Sequence, residues 1–388
     1  MTTTFFLEPL DVLFLRGNKL FGDPGSHGEA QMPPNPSVAA GAIRSRMLVD
    51  AGIDLAAFAR GEISHPVLGT PREPGEFALT AFHLARRENG MIAPLFAPPA
   101  DLNLEAPEKA EREEEKKLPP QVKALQPLPA PQGILTSFPL PGLPILAQKK
   151  RDKPVSGYWL TAAGWARYLA GGLPDQKEHW LERADLWQID ERVGIGMDAA
   201  TRSVAEGRLF TVQAVALKPG VGFLAAVTGA ELSEGASLRF GGDGRAVAVR
   251  RADVLLPEPD YAALARARRC RLILASPGIF AAGWLPTGAT LVEGNTAAFA
   301  LHGVRGKITA AAVSRFETVS GWDLANWRPK PAQCAVPTGS VYWLDELEAD
   351  ADALRALAEQ GLWSETPSPE DRLRRAEGFN RCALAAWN

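Results

Sequence analysis

The stretch MPPNPSVAAGAIRSRML, residues 32–48, organises the predicted fold of this chain. Its prolines hold the backbone extended and then allow a helix to begin, because Asn35 is a favourable N-cap and Pro36 needs no amide hydrogen bond at the first helical position. The pattern predicts a helix that runs to about Asp50 and stops at Gly52. Small residues form one narrow side against which another backbone can pack: Ala39, Ala40, Gly41 and Ala42.

The beginning of this helix is a candidate anion site. A helix N-terminus offers unpaired N–H groups and the positive end of the helix dipole, and phosphate is the anion that we expect there, beside Asn35 and Ser37. Arg44 and Arg46 are two positions apart, so they leave the helix in different directions and at least one lies off the buried face. The alternative is a buried helix with two solvated arginines.

Length and composition restrict the classes of protein to which the chain can belong. Its 388 residues, of which 46% are hydrophobic, suggest two domains with buried cores. The net charge of −3 requires any nucleic-acid site to be a local basic groove. The three cysteines form no CxxC pair, so neither a zinc site nor a disulfide framework is indicated, and we expect no cofactor.

The sequence does not have the features of a membrane protein. The N-terminal apolar run contains Glu8 and Asp11 and has no basic leader, which argues against a signal peptide. No apolar run reaches the roughly 18 residues that a membrane span needs. We therefore expect a soluble, cytoplasmic protein without a membrane partner.

The first predicted strand and helix are joined by a loop that mixes cations with an aromatic ring. The apolar run 4–15 predicts the strand, and the loop that follows contains Arg16, Lys19, Phe21 and His27. Such a mixture suits a nucleotide, because rings stack on bases while cations contact phosphates. The alternative is that Phe21 packs beneath the helix.

Residues 68–146 have a different composition, rich in proline and glycine. Within them the alternating-charge run EKAEREEEKK, residues 108–117, cannot bury much surface. We expect the run 108–117 to be a mobile insertion, a solvated linker, rather than a core element.

Two glycine-rich stretches are candidate RNA-binding loops. The first, 185–208, carries Arg192 and Arg202 at either end of its loop. The second is GGDGR, residues 241–245, whose glycines can point successive N–H groups one way as an anion nest beside an arginine. The alternative is a tight turn into an edge strand. The GGD string is similar to that of nucleotide-cyclising polymerases, but Gly244 replaces the second acid that two-metal chemistry needs.

The order of predicted elements indicates the fold class. The runs 209–217 and 223–229 predict a hairpin, and a short helix is expected near 231–238. Together with the earlier elements this gives β-α-insertion-β-β-α-β, which is the ferredoxin-like and RRM order. We therefore predict an α+β protein whose first ferredoxin-like domain spans 1–257, with a long insertion at about 60–190.

The remaining residues, 258–388, have the size of a second ferredoxin-like, RRM-like domain that follows a proline linker. Trp284 lies in a segment shaped by glycines, and Lys307 begins a predicted strand. Trp322 and Lys330 lie in an aromatic and basic loop. These side chains are further candidates for contact with RNA.

Blocks along nearly the whole chain resemble one known family. Together they resemble the third subunit of the Cmr complex, the type III-B CRISPR effector, which belongs to the RAMP superfamily. The resemblance runs from about Phe5 to the C-terminus and leaves out about 100–150. The blocks that carry it, in order, are LEPLDVLFLRGNKLF, PPNPSVAAGAIRSRML, ERVGIGMDAATRSVAEGRLFTV, GGDGR, SPGIFAAGWLP, GWDLANWRPKP and VPTGSVYW.

The resemblance implies two ferredoxin-like RAMP domains and a non-catalytic role in antiviral RNA-guided defence. It implies that the chain grips the 5′ repeat-derived tag of crRNA at the base of the complex. It also implies contacts with the large polymerase-like subunit and with the first backbone subunit. RAMP proteins place a glycine-rich loop against RNA, and 241–244 is the stretch that fits. An insertion in such subunits often forms a thumb, and the sequence does not indicate which part of 60–190 would form it here.

The predicted RNA-binding residues of the first domain lie in or beside connections that can converge at one edge of its sheet. Two alternatives remain open: a metal-independent endoribonuclease with His27 as general base, and a scaffold whose arginines contact proteins. The predicted RNA-binding residues are Arg16, Lys19, Phe21, Asn35, Ser37, Arg44, Arg46, Arg192, Arg202, Gly241, Gly242, Gly244, Arg245, Trp284, Lys307, Trp322 and Lys330.

Overall fold

The structure of the chain is a computed structural model. It describes residues 2–17, 27–106, 119–130, 133, 136, 138–148, 153–198, 200–292, 296–323 and 325–388, with the backbone alone at 27 and 204–209. The charged run predicted to be mobile therefore lies outside the described residues. The chain divides into two compact units: unit 1 is Met1–Ile92, Arg183–Asp253 and Thr318–Ala332, and unit 2 is Ala93–Glu182, Val254–Glu317 and Gln333–Asn388.

The elements are numbered in chain order. The helices are α1 (Pro36–Asp50), α2 (Leu55–Arg60), α3 (Ala162–Leu169), α4 (Tyr261–Ala267), α5 (Ala351–Gln360) and α6 (Pro369–Ala376). The strands are β1 (Thr2–Pro9), β2 (His27–Gly28), β3 (Ala78–Glu88), β4 (Met91–Leu95), β5 (Leu102–Glu105), β6 (Gln121–Ala124), β7 (Gln126–Pro129), β8 (Gly142–Ile145), β9 (Tyr158–Leu160), β10 (Trp180–Glu182), β11 (Trp187–Met197), β12 (Val204–Leu217), β13 (Val221–Thr228), β14 (Ser237–Arg239), β15 (Ala246–Arg251), β16 (Cys270–Leu274), β17 (Ala289–Val292), β18 (Thr296–Leu301), β19 (Val304–Ala312), β20 (Glu317–Val319), β21 (Trp322–Asp323), β22 (Arg328–Pro329), β23 (Gln333–Ala335), β24 (Val341–Glu348) and β25 (Cys382–Ala386). This mixture of helices and sheets confirms the α+β class.

Unit 1 is built on a six-stranded sheet in the order β14-β15-β1-β13-β3-β4. Strand β1 lies between two antiparallel neighbours, so that Phe5 is opposite Ala225 of β13 on one side and Arg251 of β15 on the other. Strand β13 also pairs antiparallel with β3. Helix α1 lies between β1 and β3 along the chain, so the strand of this sheet that follows the helix is β3, inside the predicted insertion, and not the predicted strand 209–217.

Helix α1 begins and ends where the proline and glycine signals place it. Pro36 is its first residue, and Gly52 follows its end with a left-handed φ of 62°. Ala39, Ala40 and Ala42 are buried, but Gly41 is exposed and no atom lies within 4 Å of a Cβ placed there, so the predicted packing side does not include Gly41. The predicted cap is wrong in one detail, because the Asn35 side chain does not cap the helix but accepts a hydrogen bond from the Gln31 side chain at 3.4 Å.

The predicted hairpin of 209–217 with 223–229 does not form. Strand β12 pairs with β11 and β2 in a separate three-stranded sheet, whereas β13 lies in the six-stranded sheet. The side-chain patterns explain the separation. Every residue of β13 but the last is buried, which suits a covered central strand. In β12, buried Val212, Ala214 and Val215 are mixed with half-buried residues.

The helix predicted near 231–238 is also wrong. Gly235 has a left-handed φ of 75°, which interrupts a right-handed helix, and the following residues form the edge strand β14. Within that strand, Leu238 is buried opposite Val247 of β15. A strand pairing with β15 therefore replaces the second helix that the predicted element order contained.

Unit 2 has a six-stranded sheet in the order β17-β18-β19-β24-β16-β25. Strand β16 lies between antiparallel β24 and β25, with Leu272 opposite Tyr342 and Leu384. Alternate residues of β16 and β24 supply two separate hydrophobic clusters, one packed with α5 and the other with α3. The central strands are thus covered on both faces, which explains why they are apolar without alternation.

A buried ion pair fixes segment 93–182 within unit 2. The Arg271 guanidinium of β16 contacts Asp101 at 2.7 Å and donates to the Tyr168 carbonyl at 3.2 Å. The Tyr168 hydroxyl in turn donates to Asp101 at 2.8 Å. Burial, together with the adjacent Asp101 carboxylate, raises the pKa of Tyr168 well above its usual value, so the hydroxyl remains a donor.

Candidate nucleic-acid interface

Phe14 is the centre of the candidate interface in unit 1. Its ring is buried against Val212 and Ala214 of β12. The backbone beside it is fixed to the same strand, because Leu13 and Val215 exchange two hydrogen bonds of 2.9 and 2.8 Å. The position of this ring is therefore set by the sheet that contains β11 and β12.

Two arginines from distant parts of the sequence lie over the Phe14 ring. The guanidinium carbons of Arg192 and Arg245 are 5.9 and 5.2 Å from the ring centroid, which is the range of a cation–π contact. Each guanidinium also has a carboxylate partner: Arg192 contacts Asp190 at 2.9 Å, and Arg245 contacts Asp11. The arrangement concentrates two cations on one ring and holds them with flanking acids.

The glycine turn 241–244 packs directly on the backbone of Phe14. The Gly242 N–H donates to the Phe14 carbonyl at 2.8 Å. Gly241 has a φ of 77°, and a Cβ there would lie 2.6 Å from the same carbonyl oxygen, so only glycine fits. The Arg245 N–H donates to the Gly242 carbonyl at 3.2 Å, which closes the turn between edge strand β14 and β15. Because the fold uses the N–H groups of Gly242 and Arg245, neither of these two groups is available to an anion.

Arg16 extends the same cluster. Its guanidinium lies 3.9 Å from the carboxylate of Asp243, the residue at the middle of the glycine turn. Lys19 and Phe21, which the sequence places in the same loop, lie outside the described residues. His27 is described by its backbone alone, which pairs in parallel with Thr211 of β12.

The predicted residues of α1 also belong to unit 1. Arg46 forms an ion pair with Asp50 one turn further along the helix, at 2.7 Å. Ser37 is half-buried at the second helical position, and Arg44 is half-buried as well. Arg46 is thus paired with a carboxylate, as Arg192 and Arg245 are, so the ion pair does not distinguish it from them.

The loop expected between Arg192 and Arg202 is instead a strand with a tight turn. Strand β11 continues to Met197, because its side chains alternate between exposed apolar residues and glycines with the period of a strand. The turn that follows is closed by Asp198, whose carboxylate accepts the Ala200 and Thr201 N–H groups. Arg202 is exposed at this turn, so β11 separates it from Arg192.

Two predicted residues belong to unit 2 and serve its packing. The Trp284 ring is half-buried against Phe138, with ring centroids 5.7 Å apart, and its carbonyl accepts the Tyr342 hydroxyl. Lys307 forms an ion pair with Glu346 at 2.6 Å. Both contacts lie within unit 2, whereas the Phe14 cluster lies within unit 1.

The predicted RNA-binding residues do not include Phe14 or Trp327. Phe14 lies in an apolar strand-like run, where nothing distinguishes it from a core residue except its place just before the basic loop. Trp327 lies in the same loop as the predicted Trp322 and Lys330, and it is 75% exposed. A large aromatic residue between asparagine and arginine in a polar loop was the signal available for it.

None of the helices in the described part of the chain has the length and apolar character that crossing a bilayer requires.

Comparison with known proteins identifies the family. No curated protein matches the sequence of this chain. A chain in a cryo-EM structure of type III-B Cmr-beta bound to cognate target RNA and AMPPnP is 14% identical, with 98% of each chain covered and a TM-score of 0.47. A chain in a second structure, of Cmr-beta bound to cognate target RNA, is 13% identical, with 98% of this chain and 96% of that chain covered and a TM-score of 0.44. Since both TM-scores are low, neither likeness supports a statement about the site.

A family model described as CRISPR-associated protein (Cas_Cmr3) matches residues 5–387. The match covers nearly the whole chain and includes every sequence block on which the resemblance was based. It confirms the prediction from those blocks: the chain belongs to the Cas_Cmr3 family of CRISPR-associated proteins.

Proposed function

We propose that this chain is a non-catalytic RNA-binding subunit of a type III-B Cmr effector complex. In this proposal it holds the 5′ tag of crRNA and bridges the large polymerase-like subunit to the backbone subunits. Family membership supports the general role. The observation that carries the RNA contact is the cluster in which Arg192 and Arg245 share the Phe14 ring beside the glycine turn.

The cluster has the chemistry of a phosphate site with positioned donors. A guanidinium presents a planar fork of N–H groups that matches phosphate oxygens. Phe14 is only 5% exposed, so it orients the guanidiniums and does not itself stack on a base. The Nε of Arg245 is buried and has no acceptor among the described residues. The cluster therefore contributes phosphate contacts, and other groups would have to recognise the base sequence of the RNA.

The carboxylates around the cluster do not prevent RNA binding. Their side chains are largely exposed, at 60% for Asp11 and 41% for Asp190. Exposed ion pairs contribute roughly 0–1 kcal/mol, so a phosphate can replace a carboxylate partner at small cost. Before RNA binds, the same acids hold the guanidiniums in place and keep the net charge of this surface low.

The strand order supports the proposal of two ferredoxin-like RAMP domains. In unit 1, β15-β1-β13-β3 place the fourth, first, third and second strands side by side, and in unit 2 β25-β16-β24-β19 repeat that order. The first set contains the crossover helix α1, and the second contains α5 and α6. The two sets lie within the proposed domains 1–257 and 258–388.

The proposal that the chain is non-catalytic has a direct test. We expect repeat RNA to remain intact when it is incubated with the full-length chain in buffer without divalent metal. The His27→Ala variant should behave identically, because the proposal gives His27 no role as a general base. Cleavage that requires His27 would contradict the proposal and favour the endoribonuclease alternative.

The position of the RNA can be tested by photocrosslinking. Tag RNA that carries 4-thiouridine is irradiated with the full-length chain, and the crosslinked peptides are identified by mass spectrometry. We expect crosslinks in peptides that contain Phe14, Arg192 or 241–245, and fewer with a scrambled tag of the same length. Crosslinks that avoid all three peptides would favour the scaffold alternative, in which the arginines contact proteins.

A further inference from the structure

We propose that the loop of unit 1 whose described residues are 320–323 and 325–330 is a second RNA contact, a stacking site that takes one unpaired base of single-stranded RNA on Trp327. The proposal rests on the proposed function, since it assumes that the chain contacts RNA. It adds a site for a base to a cluster that holds phosphates. The four observations that carry it are the hydrogen bonds that close the loop, the exposure of its two tryptophans, the backbone conformation of Trp327 and the neighbouring cations.

The base of the loop is a small closed hairpin. Trp322 of β21 is opposite Pro329 of β22, and Asp323 is opposite Arg328. The Lys330 N–H donates to the Gly321 carbonyl at 2.9 Å. The loop therefore has a fixed frame on which an aromatic ring can be presented without a large loss of conformational entropy on binding.

Asp323 holds the turn that leads to Trp327. Its carboxylate accepts the N–H groups of Ala325 and Asn326 at 3.0 and 3.1 Å, and the Asn326 side-chain amide at 2.8 Å. These three hydrogen bonds fix the chain immediately before Trp327. The backbone that leads to the ring is therefore held in a defined conformation.

Trp327 combines an unfavourable backbone with an exposed ring. Its φ is 50°, in the left-handed region that large side chains rarely adopt. Such a conformation persists where the surroundings impose it, and it is concentrated at functional sites. Packing does not account for it here, because the ring is 75% exposed. Trp322 is 49% exposed, and the two rings are perpendicular at 88° with centroids 5.8 Å apart.

The chemistry around the two rings favours a nucleotide over a protein surface. Arg328 is exposed and adjacent to Trp327, and Lys330 directly follows strand β22. A flat ring with flanking cations matches a base with its phosphates. Two rings offer far less than the roughly 800 Å² per partner that a stable protein interface buries, but they are sufficient for one base.

The experiment measures binding of single-stranded tag RNA to the full-length chain by fluorescence anisotropy at low salt. Trp327→Ala should weaken binding about tenfold, within the range measured for loss of one stacked base, while Trp327→Phe should keep most of the affinity. The salt dependence of binding should stay unchanged, because no phosphate contact is lost. Met91→Ala is the matched control, since Met91 is an apolar side chain of unit 1 that is 74% exposed.

An abasic scan of the RNA identifies the stacked base. For the unsubstituted chain, one abasic position should weaken binding about tenfold, and the same position should have no further effect in Trp327→Ala. If Trp327→Ala binds as tightly as Met91→Ala while the unsubstituted chain binds RNA, the stacking site is overturned and the phosphate cluster stands. If the unsubstituted chain does not bind tag RNA at all, both proposals are overturned.

Discussion

Replacing Arg271 with methionine should lower the free energy of unfolding by about 3–5 kcal/mol, because the change leaves the carboxylate of Asp101 buried without its cation. Asp101 is 1% exposed, so water cannot replace the lost partner. The guanidinium also lies 4.1 Å from the centroid of the Tyr168 ring and donates to the Ala386 carbonyl at 3.1 Å. All of these contacts are lost together.

The measurement is urea denaturation of the full-length chain, followed by tryptophan fluorescence. Arg355→Met is the matched control, because Arg355 also combines an ion pair with a ring contact, to Glu258 and Tyr261, but is half exposed. Its loss should cost about 1 kcal/mol or less. Asp101→Leu combined with Arg271→Met should recover much of the stability, since no buried charge remains. Equal effects of the two arginine variants would contradict the account of this pair.

The largest effect on RNA binding is expected from the double variant Arg192→Ala with Arg245→Ala. Each charge-assisted hydrogen bond contributes about 1.5–3 kcal/mol, so the loss of both guanidiniums should weaken binding of the full-length chain to tag RNA by roughly 100-fold. Stability should change little, because both ion pairs are at the surface. The readout is the dissociation constant from fluorescence anisotropy.

Arg355→Ala is the control for nonspecific loss of positive charge, because this arginine belongs to unit 2 and lies outside the Phe14 cluster. It should bind tag RNA within about twofold of the unsubstituted chain, because it removes one exposed charge without a phosphate contact. If the double variant binds tag RNA as tightly as this control, the Phe14 cluster is not part of the RNA-binding site.

Helix α1 was predictable because its signals are local. Pro36 at the first position and Gly52 after the end act on the backbone within one turn, and the structure places both as expected. The cap at Asn35 was not predictable, because the side chain is taken by Gln31. A local propensity fails where a neighbouring side chain competes for the same group.

Strand pairing was harder to predict, because it depends on partners far along the chain. The short turn after β12 suggested a hairpin, yet β12 pairs with β11 and β13 pairs with β1 and β3. A short turn brings two strands into a hairpin pairing only if both strands belong to the same sheet. The buried pattern of β13 was visible in the sequence, but the sheet that covers it was not.

The candidate site was predicted in part. The sequence marked Arg16, Arg192 and the glycine turn as loop residues of one fold, and the structure brings them to one place. It did not mark Phe14, because a buried ring in an apolar run looks like a core residue. It also could not show that the N–H groups of Gly242 and Arg245 are already paired within the fold.

The measurement that tests the central claim most directly is the salt dependence of tag-RNA affinity. At roughly 0.7 per phosphate contact for single strands, the slope of log affinity against log salt should fall by about 1.4 in the double variant Arg192→Ala with Arg245→Ala. Arg355→Ala should keep the slope of the unsubstituted chain. An identical slope in all three proteins would contradict the claim that the cluster at Phe14 holds RNA phosphates.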